Sequence, residues 1–212
     1  MQSSKIFSKD QIDLSKIRHK AVKKFIHTKG LLQLSSFADL IHSCSGKVDI
    51  TNYNRHLKTF SFNETIEKVW NAYKTIGPEE TCTGSMLGFG LQYSRRNHIV
   101  TYHEDDHGTI EVGQIIILNL NLLWNVACIA VGHEITEVNE NEKFIKMCYL
   151  EGGASKGYQF IRLKEMEDGS TQVVHETFYK SNSDFRDKRL YPLLHGRIVT
   201  EFHRNVEKRL MA

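Results

Sequence analysis

The sequence predicts an α+β fold: a curved antiparallel sheet of about six to seven strands gripping a long C-terminal helix, with a helical extension at the N-terminus. Three observations carry this. Between residues 89 and 180, strand-length apolar segments follow one another at short intervals. The links between them are turn-like, and consecutive short links require antiparallel neighbours because parallel pairing needs a long crossover. Finally, Tyr191, Leu194, Ile198, Phe202, Val206 and Leu210 recur at spacings of three and four, the stripe of a long amphipathic helix.

The elements follow in order. Leu14, Ile17, Ala21 and Phe25 predict a first helix with lysines between its apolar positions. Gly30 punctuates it, and residues 31–41 read as a second short helix ended at Ser45-Gly46. Residues 48–54 either add an edge strand or link the two halves. Residues 56–61 read as a first strand. Asn63 is a candidate N-cap for a helix over 65–75, whose stripe is Ile66, Val69, Trp70 and Tyr73. Gly77-Pro78 stops that helix. Strands are expected at 89–93, 99–102, 113–120, 126–138, 143–150, 158–164 and 171–180. Asn139-Glu140-Asn141 and Asp168-Gly169 are hairpin signals between them. The last helix runs over 187–210, on the order of 30 Å long at 1.5 Å per residue. Pro192 is tolerable because it lies near the start, and Arg186 with Asp187 is expected to tie this helix to the sheet.

Composition bounds the function classes. At 212 residues with 40% hydrophobic and 25% charged content, the chain can bury a real core and is neither disordered nor fibrous. The longest apolar stretches, at 114–118 and 126–131, are strand-sized, so no membrane-spanning helix and no stable membrane insertion are expected. The N-terminus, MQSSKIFSKDQ, lacks a signal-peptide core, which makes a cytoplasmic location the default. Cys44, Cys82, Cys128 and Cys148 show no metal-finger spacing, and in a reducing compartment four thiols are expected, with Cys128 and Cys148 buried in apolar strands. Net charge is +3, but residues 1–30 carry eight Lys/Arg against Asp10 and Asp13, a local +6 that leaves −3 for the remainder. A solvated helix face is the simpler account of this basic arm.

Residues 56–210 resemble the helix-grip superfamily, which joins START lipid-transfer domains, birch-pollen-allergen-like proteins and polyketide cyclase-like proteins. KTFSFNETIEKVWNAY resembles its opening strand and helix, and LLHGRIVTEFHRNVEKRL its closing helix. The helix-grip domain is expected over 55–212, and the basic helical extension over 1–54, which departs from the superfamily's minimal pattern, is expected to pack on it. The resemblance implies a cavity between sheet and helix for hydrophobic small molecules. The superfamily shares no catalytic motif, so function must be argued from the site.

Candidate chemistry is sparse. HEDDH at 103–107 lacks the helical setting of a metalloprotease motif and reads as a solvated acidic turn; no metal and no cofactor are implied. The glycine clusters GSMLGFG and EGGASKG do not match a phosphate cradle and fit the corners of a curved sheet. The alternation of the hairpin after residue 126 puts His133 on the inner face with Ile129, Val131, Ile135, Ile145, Met147 and Tyr149. In the next hairpin the pattern leaves open whether His175 or Glu176 faces inward. His133, Tyr149, Gln159 and Glu176 are the candidate polar contacts on a cavity wall, with Phe160, Phe178, Leu194, Ile198 and Phe202 as apolar wall.

Three functions are therefore in play. The first is binding of a hydrophobic or amphipathic small molecule, as carrier or sensor. The second is a cyclase- or isomerase-type enzyme using His133 or Glu176 as base. The third is an interaction module using the basic helices. Phe7 and Phe25 are the aromatic residues of that arm, which argues against nucleic acid as a partner. The sequence does not specify an oligomeric state.

Overall fold

The computed structural model describes residues 10–46, 49–122 and 127–211. Lys5, Phe7 and Lys9 of the basic arm, Val48 before the first strand, and Val126 at an expected strand start lie outside the described residues. Eight strands are present: β1 Asn54–Phe62, β2 Leu87–Ser94, β3 Ile99–Thr101, β4 Gln114–Leu122, β5 Ala127–Asn139, β6 Phe144–Tyr149, β7 Lys156–Glu165 and β8 Thr171–Lys180. They form one antiparallel sheet in the order β1-β8-β7-β6-β5-β4-β2-β3. The count exceeds the six to seven expected, and the three-residue β3 lengthens one edge as a hairpin partner of β2.

Two bulges interrupt the ladder, between Phe89 and Leu91 and between Ile135 and Glu137. An extra residue bends a strand and increases its twist. The first bulge also changes which face the side chains use. Leu87 and Phe89 pack toward the inner face, whereas Leu91 and Tyr93 join the outer cluster. Gly90 is required there, since a Cβ would lie 2.6 Å from the Ile117 carbonyl oxygen.

The inner face holds the helices α2 Ile66–Thr75, α3 Pro78–Thr81 and α4 Tyr191–Met211. Val69, Trp70, Tyr73 and Val206 pack there on Ile135, Ile145, Ile161 and Val173. Fully burying each such aliphatic side chain contributes about 1.5–3 kcal/mol. Ile76 caps α2 and Pro78 opens α3, so Gly77-Pro78 ends one helix and begins another. The cap position of α2 is Thr65, whose side chain makes no capping bond, so the expected role of Asn63 is not found.

The outer face of β2, β4 and β5 is covered by the N-terminal extension. Ile12, Ile17, Val22, Ile26, Leu31 and Phe37 pack there on Leu91, Tyr93, Ile115 and Ile117. Burial on both faces explains why these strands read as continuous apolar runs. Arg95 clamps the layer: it grips Glu134 with two bonds of 2.9 and 3.0 Å and donates to the Ala38 and Leu40 carbonyls.

Here the extension differs from expectation. The helix α1 spans Lys20–Thr28 and buries Val22 and Ile26, not the Leu14–Ala21–Phe25 stripe. Leu14–Lys16 is a separate 3-10 turn capped by Asp13, and the predicted helix over 31–41 reduces to the 3-10 turn Leu34–Phe37. Sheet packing selects the buried positions here, overriding local periodicity. Residues 49–53 form no strand, and β1 begins at Asn54.

The cysteine expectation is also corrected. Cys44 and Cys148 form a disulfide across 104 residues, while Cys82 and Cys128 are free and Cys128 is exposed. Cys148 projects outward from β6, and residues 42–45 run beside it through Ser43 N–H to Tyr149 O at 2.8 Å. Sequence spacing cannot reveal that contact.

Before α4, Arg186–Leu190 forms a π-helical turn. The wider turn falls just ahead of Pro192, which has no N–H to donate and whose ring would clash with a carbonyl one turn back. The buried stripe of α4 is Tyr191, Gly196, Val199, His203 and Val206. Leu194, Ile198 and Phe202 flank it and are partly exposed. No helix among the described residues is long and apolar enough to cross a membrane.

Candidate functional site: a cavity under the C-terminal helix

A cavity of about 310 Å³ lies between the inner sheet face and α4. One end is mostly apolar, with Leu118, Leu120 and Leu122 from β4 and Ile129 and Val131 from β5. Pro78, Cys82, Ile198 and Phe202 close it from the helical side. The other end is polar, because the strands there carry Tyr149, Gln159 and His175 and the helix supplies Tyr191 and His195.

Strand register explains the placement. His133 pairs with Tyr149 across β5 and β6 and with Ile116 across β4, so its ring sits mid-sheet. It is 8% exposed and its ring centroid lies 4.5 Å from that of Tyr149. Its Nε2 is buried without a hydrogen-bond partner. Burial lowers its pKa to about 4, so the imidazole is neutral at pH 7.

Behind the wall runs a chain of hydrogen bonds. Gln159 Oε1 lies 2.8 Å from His175 Nε2, His175 Nδ1 lies 2.8 Å from His203 Nε2, and His203 Nδ1 lies 2.5 Å from Tyr73 Oη. Burial lowers the pKa of His175 to about 3 and holds His203 well below the ordinary histidine value. With both rings neutral, only one proton arrangement satisfies every contact. The amide oxygen of Gln159 accepts from His175 Nε2–H, His175 Nδ1 accepts from His203 Nε2–H, and His203 Nδ1 accepts from the Tyr73 hydroxyl.

A second set closes the mouth. Tyr149 and Tyr191 share a 2.5 Å hydroxyl contact, and burial pushes Tyr149 up to about 12. Tyr191 stacks between Tyr179 and His195 at centroid distances of 3.5 and 4.8 Å. Arg186 donates to the Ala154 carbonyl and to Ser155 Oγ, while Asp187 accepts from Ser181 N–H and O–H at 2.7 Å. The first pair pins the start of α4 to the β6–β7 loop and the second pins it to the end of β8. Lys29 holds the β6–β7 loop from the other side through the Gly152 carbonyl at 2.9 Å.

Of the residues singled out from the sequence, His133, Tyr149, Gln159, Leu194, Ile198 and Phe202 line this cavity. Phe160, Glu176 and Phe178 do not. They lie on the outer face, where Glu176 binds Arg55 and Arg162 and Phe178 stacks with Tyr158. The open choice at 175/176 resolves to His175 inward, because its 4% exposure comes from packing under α4. Sequence reasoning missed His195, His203 and Gln114, and read Tyr191 only as part of the helix stripe. The signal for the helical ones was present, since Tyr191, His195, Val199, His203 and Val206 have helical spacing, but only apolar residues were counted. The HEDDH turn is likewise only partly solvated: His107 is buried, packs on Phe89 and lies 3.0 Å from Glu79. Among the described residues, the one group with metal-ligand geometry is His42 with Cys44 and Cys148, whose sulfurs are spent in the disulfide.

No family model matches the chain, and no curated protein matches it. Solved structures do. Major latex-like protein 151 of Panax ginseng has a TM-score of 0.54 at 13% identity, covering 74% of this chain and 97% of its own. Norcoclaurine synthase of Thalictrum flavum, in complex with dopamine and hydroxybenzaldehyde, has a TM-score of 0.53 at 14% identity, covering 81% and 95%. The protein KanY has a TM-score of 0.54 at 15% identity, covering 76% and 100%. Identities this low speak for architecture alone, and the architecture they share with this chain is the helix-grip fold.

Proposed function

We propose that the protein binds a hydrophobic or amphipathic small molecule between the sheet and α4, as a carrier or sensor. The observation that carries this is the cavity itself: about 310 Å³, walled by aliphatic side chains, with a buried, unpartnered His133 Nε2 in its wall. The volume falls at the lower end of the range typical of small-molecule sites, which is roughly 300–1,000 Å³. Structural neighbours with this fold include a latex-like protein and a synthase, so the fold by itself does not choose between carrier and enzyme.

The chemistry favours a carrier. A general base works best with a pKa near the operating pH, and His133, at about 4, is a poor one. Glu176, the other candidate base, is on the wrong face and engaged by two arginines. The division into an extension over 1–54 and a binding domain over 55–212 is part of this proposal, with the extension serving as a cover for the sheet. As for compartment, the Cys44–Cys148 bond weighs against the cytoplasmic expectation, because disulfides are rare in reducing surroundings.

The test is uptake of the neutral apolar fluorophore N-phenyl-1-naphthylamine by the wild-type protein and by Ile198→Trp, which fills the apolar end. Saturable enhancement in the wild type, lost in a folded Ile198→Trp, is expected. Equal uptake by both proteins would remove the proposed wall.

A further inference from the structure

We propose that the cavity selects an uncharged amphiphile with a hydroxyl head, an alcohol or phenol, seated between His133 and Gln114 with its apolar body toward Leu118–Leu122. This deepens the carrier reading and rests on it.

Two polar atoms on the wall have nothing to bind. His133 Nε2 and Gln114 Oε1 are both buried without a partner, in residues only 8% and 2% exposed. Both residues line the cavity. They sit on adjacent strands: Ile116 faces His133 in the ladder, and Gln114 is two residues from Ile116 on the same face. Diagonal positions of this kind are about 7–8 Å apart between Cα atoms, within reach of one small polar group held between two side chains. A buried polar atom without a partner is costly, so a ligand that supplies one gains binding energy that a pure hydrocarbon does not.

The other polar groups near this point are committed. Gln159, His175, His203 and Tyr73 bind one another, and Tyr149 binds Tyr191. Gln114 Oε1 can only accept, so the ligand must donate a proton to it. An ether, a ketone or a carboxylate cannot do so. A hydroxyl can donate to the amide oxygen and at the same time accept from His133 Nε2–H.

Charge narrows the class further. No Asp, Glu or Lys lines the cavity among the described residues. Its histidines are held neutral and its tyrosines and Cys82 stay protonated, all through burial. The one formal charge is Arg186, at the mouth and already bonded to Ala154 and Ser155. An ammonium or carboxylate head at the His133–Gln114 position would therefore be buried without a counter-charge.

The experiment is isothermal titration of the full chain at pH 7.4 with decan-1-ol, decanoate and decylammonium, which share one alkyl length. N-phenyl-1-naphthylamine serves as a neutral reference for the cavity. Decan-1-ol is expected to bind at least about tenfold more tightly than either ion. In His133→Leu and Gln114→Leu the alcohol is expected to lose about tenfold relative to the reference. The melting temperature of either variant should not fall, since each removes an unpaired buried atom. Reference binding with decanoate equal to or tighter than the alcohol would overturn this inference alone, pointing to a head at Arg186. Alcohol affinity unchanged in both leucine variants would overturn it as well. Failure of the reference itself to bind would overturn the carrier reading together with this one.

Discussion

Breaking the Cys44–Cys148 bond gives the sharpest quantitative prediction. The bond closes a loop of 104 residues in sequence separation. In the chain-entropy description, a cross-link over about 100 residues removes denatured-state freedom worth about 4.7 kcal/mol, and measured losses for native disulfides run from about 2 to 5 kcal/mol. The local backbone contacts of the segment remain when the bond is cut: Ser43 Oγ donates to the Gly157 carbonyl at 2.8 Å, and Glu151 N–H to the Ile41 carbonyl at 2.8 Å. The tie is therefore lost without loss of the segment's docking site, and Cys44→Ser should cost about 2–5 kcal/mol. For a chain of this length each kcal/mol moves the melting temperature by about 2–4 °C. Guanidinium unfolding with and without a phosphine reductant measures the loss, and Cys148→Ser should reproduce it. Thiol titration of the unfolded, unreduced wild type should find only Cys82 and Cys128 reactive. Four reactive thiols, or an unfolding midpoint indifferent to reductant, would refute the reasoning.

Three further outcomes follow from the buried polar groups. His203→Leu strands both the Tyr73 hydroxyl and His175 Nδ1, at about 1–3 kcal/mol for each unpaired group, and denaturant unfolding should show the larger loss there than in Tyr73→Phe, which strands one. Arg95→Ala leaves Glu134, with a side chain 8% exposed, charged and unpaired beneath the extension; it should cost about 3–5 kcal/mol and expose the segment around Leu40 to hydrogen exchange. The histidines set the acid limit: His133 at about 4, His175 at about 3, and His195 and His203 well down all resist protons that the unfolded chain accepts below 6.5. Stability should be flat in this respect above pH 6.5 and fall from there toward pH 4, His133 alone accounting for roughly 3 kcal/mol. A stability that rises on acidification through this window would contradict their neutral burial.

Much of the architecture was legible because it rests on period and turn chemistry. The meander from β4 to β8 and the long α4 follow from alternation, short links and a continuous stripe. The extension was misread because its helix is selected by what β2, β4 and β5 leave uncovered: Val22 and Ile26 outrank Leu14 and Phe25 only once that surface exists. At the site, His133 was placed correctly from the pattern of one hairpin. Glu176, Phe160 and Phe178 were misplaced because the outer face of β7 and β8 carries its own aromatic row, Tyr158, Phe160 and Phe178, so apolar content does not mark the inner one. The His175–His203 contact joins residues on a strand and a helix, and the Cys44–Cys148 bond joins the extension to mid-sheet. Neither leaves a local trace.

The central claim is an occupied, small-molecule-sized cavity, and native mass spectrometry of the purified full chain tests it most directly. The account predicts a stoichiometric adduct, extractable into organic solvent as an uncharged amphiphile and absent from Ile198→Trp. A bare protein mass, both as isolated and after incubation with alcohols and phenols of matching size, would contradict it.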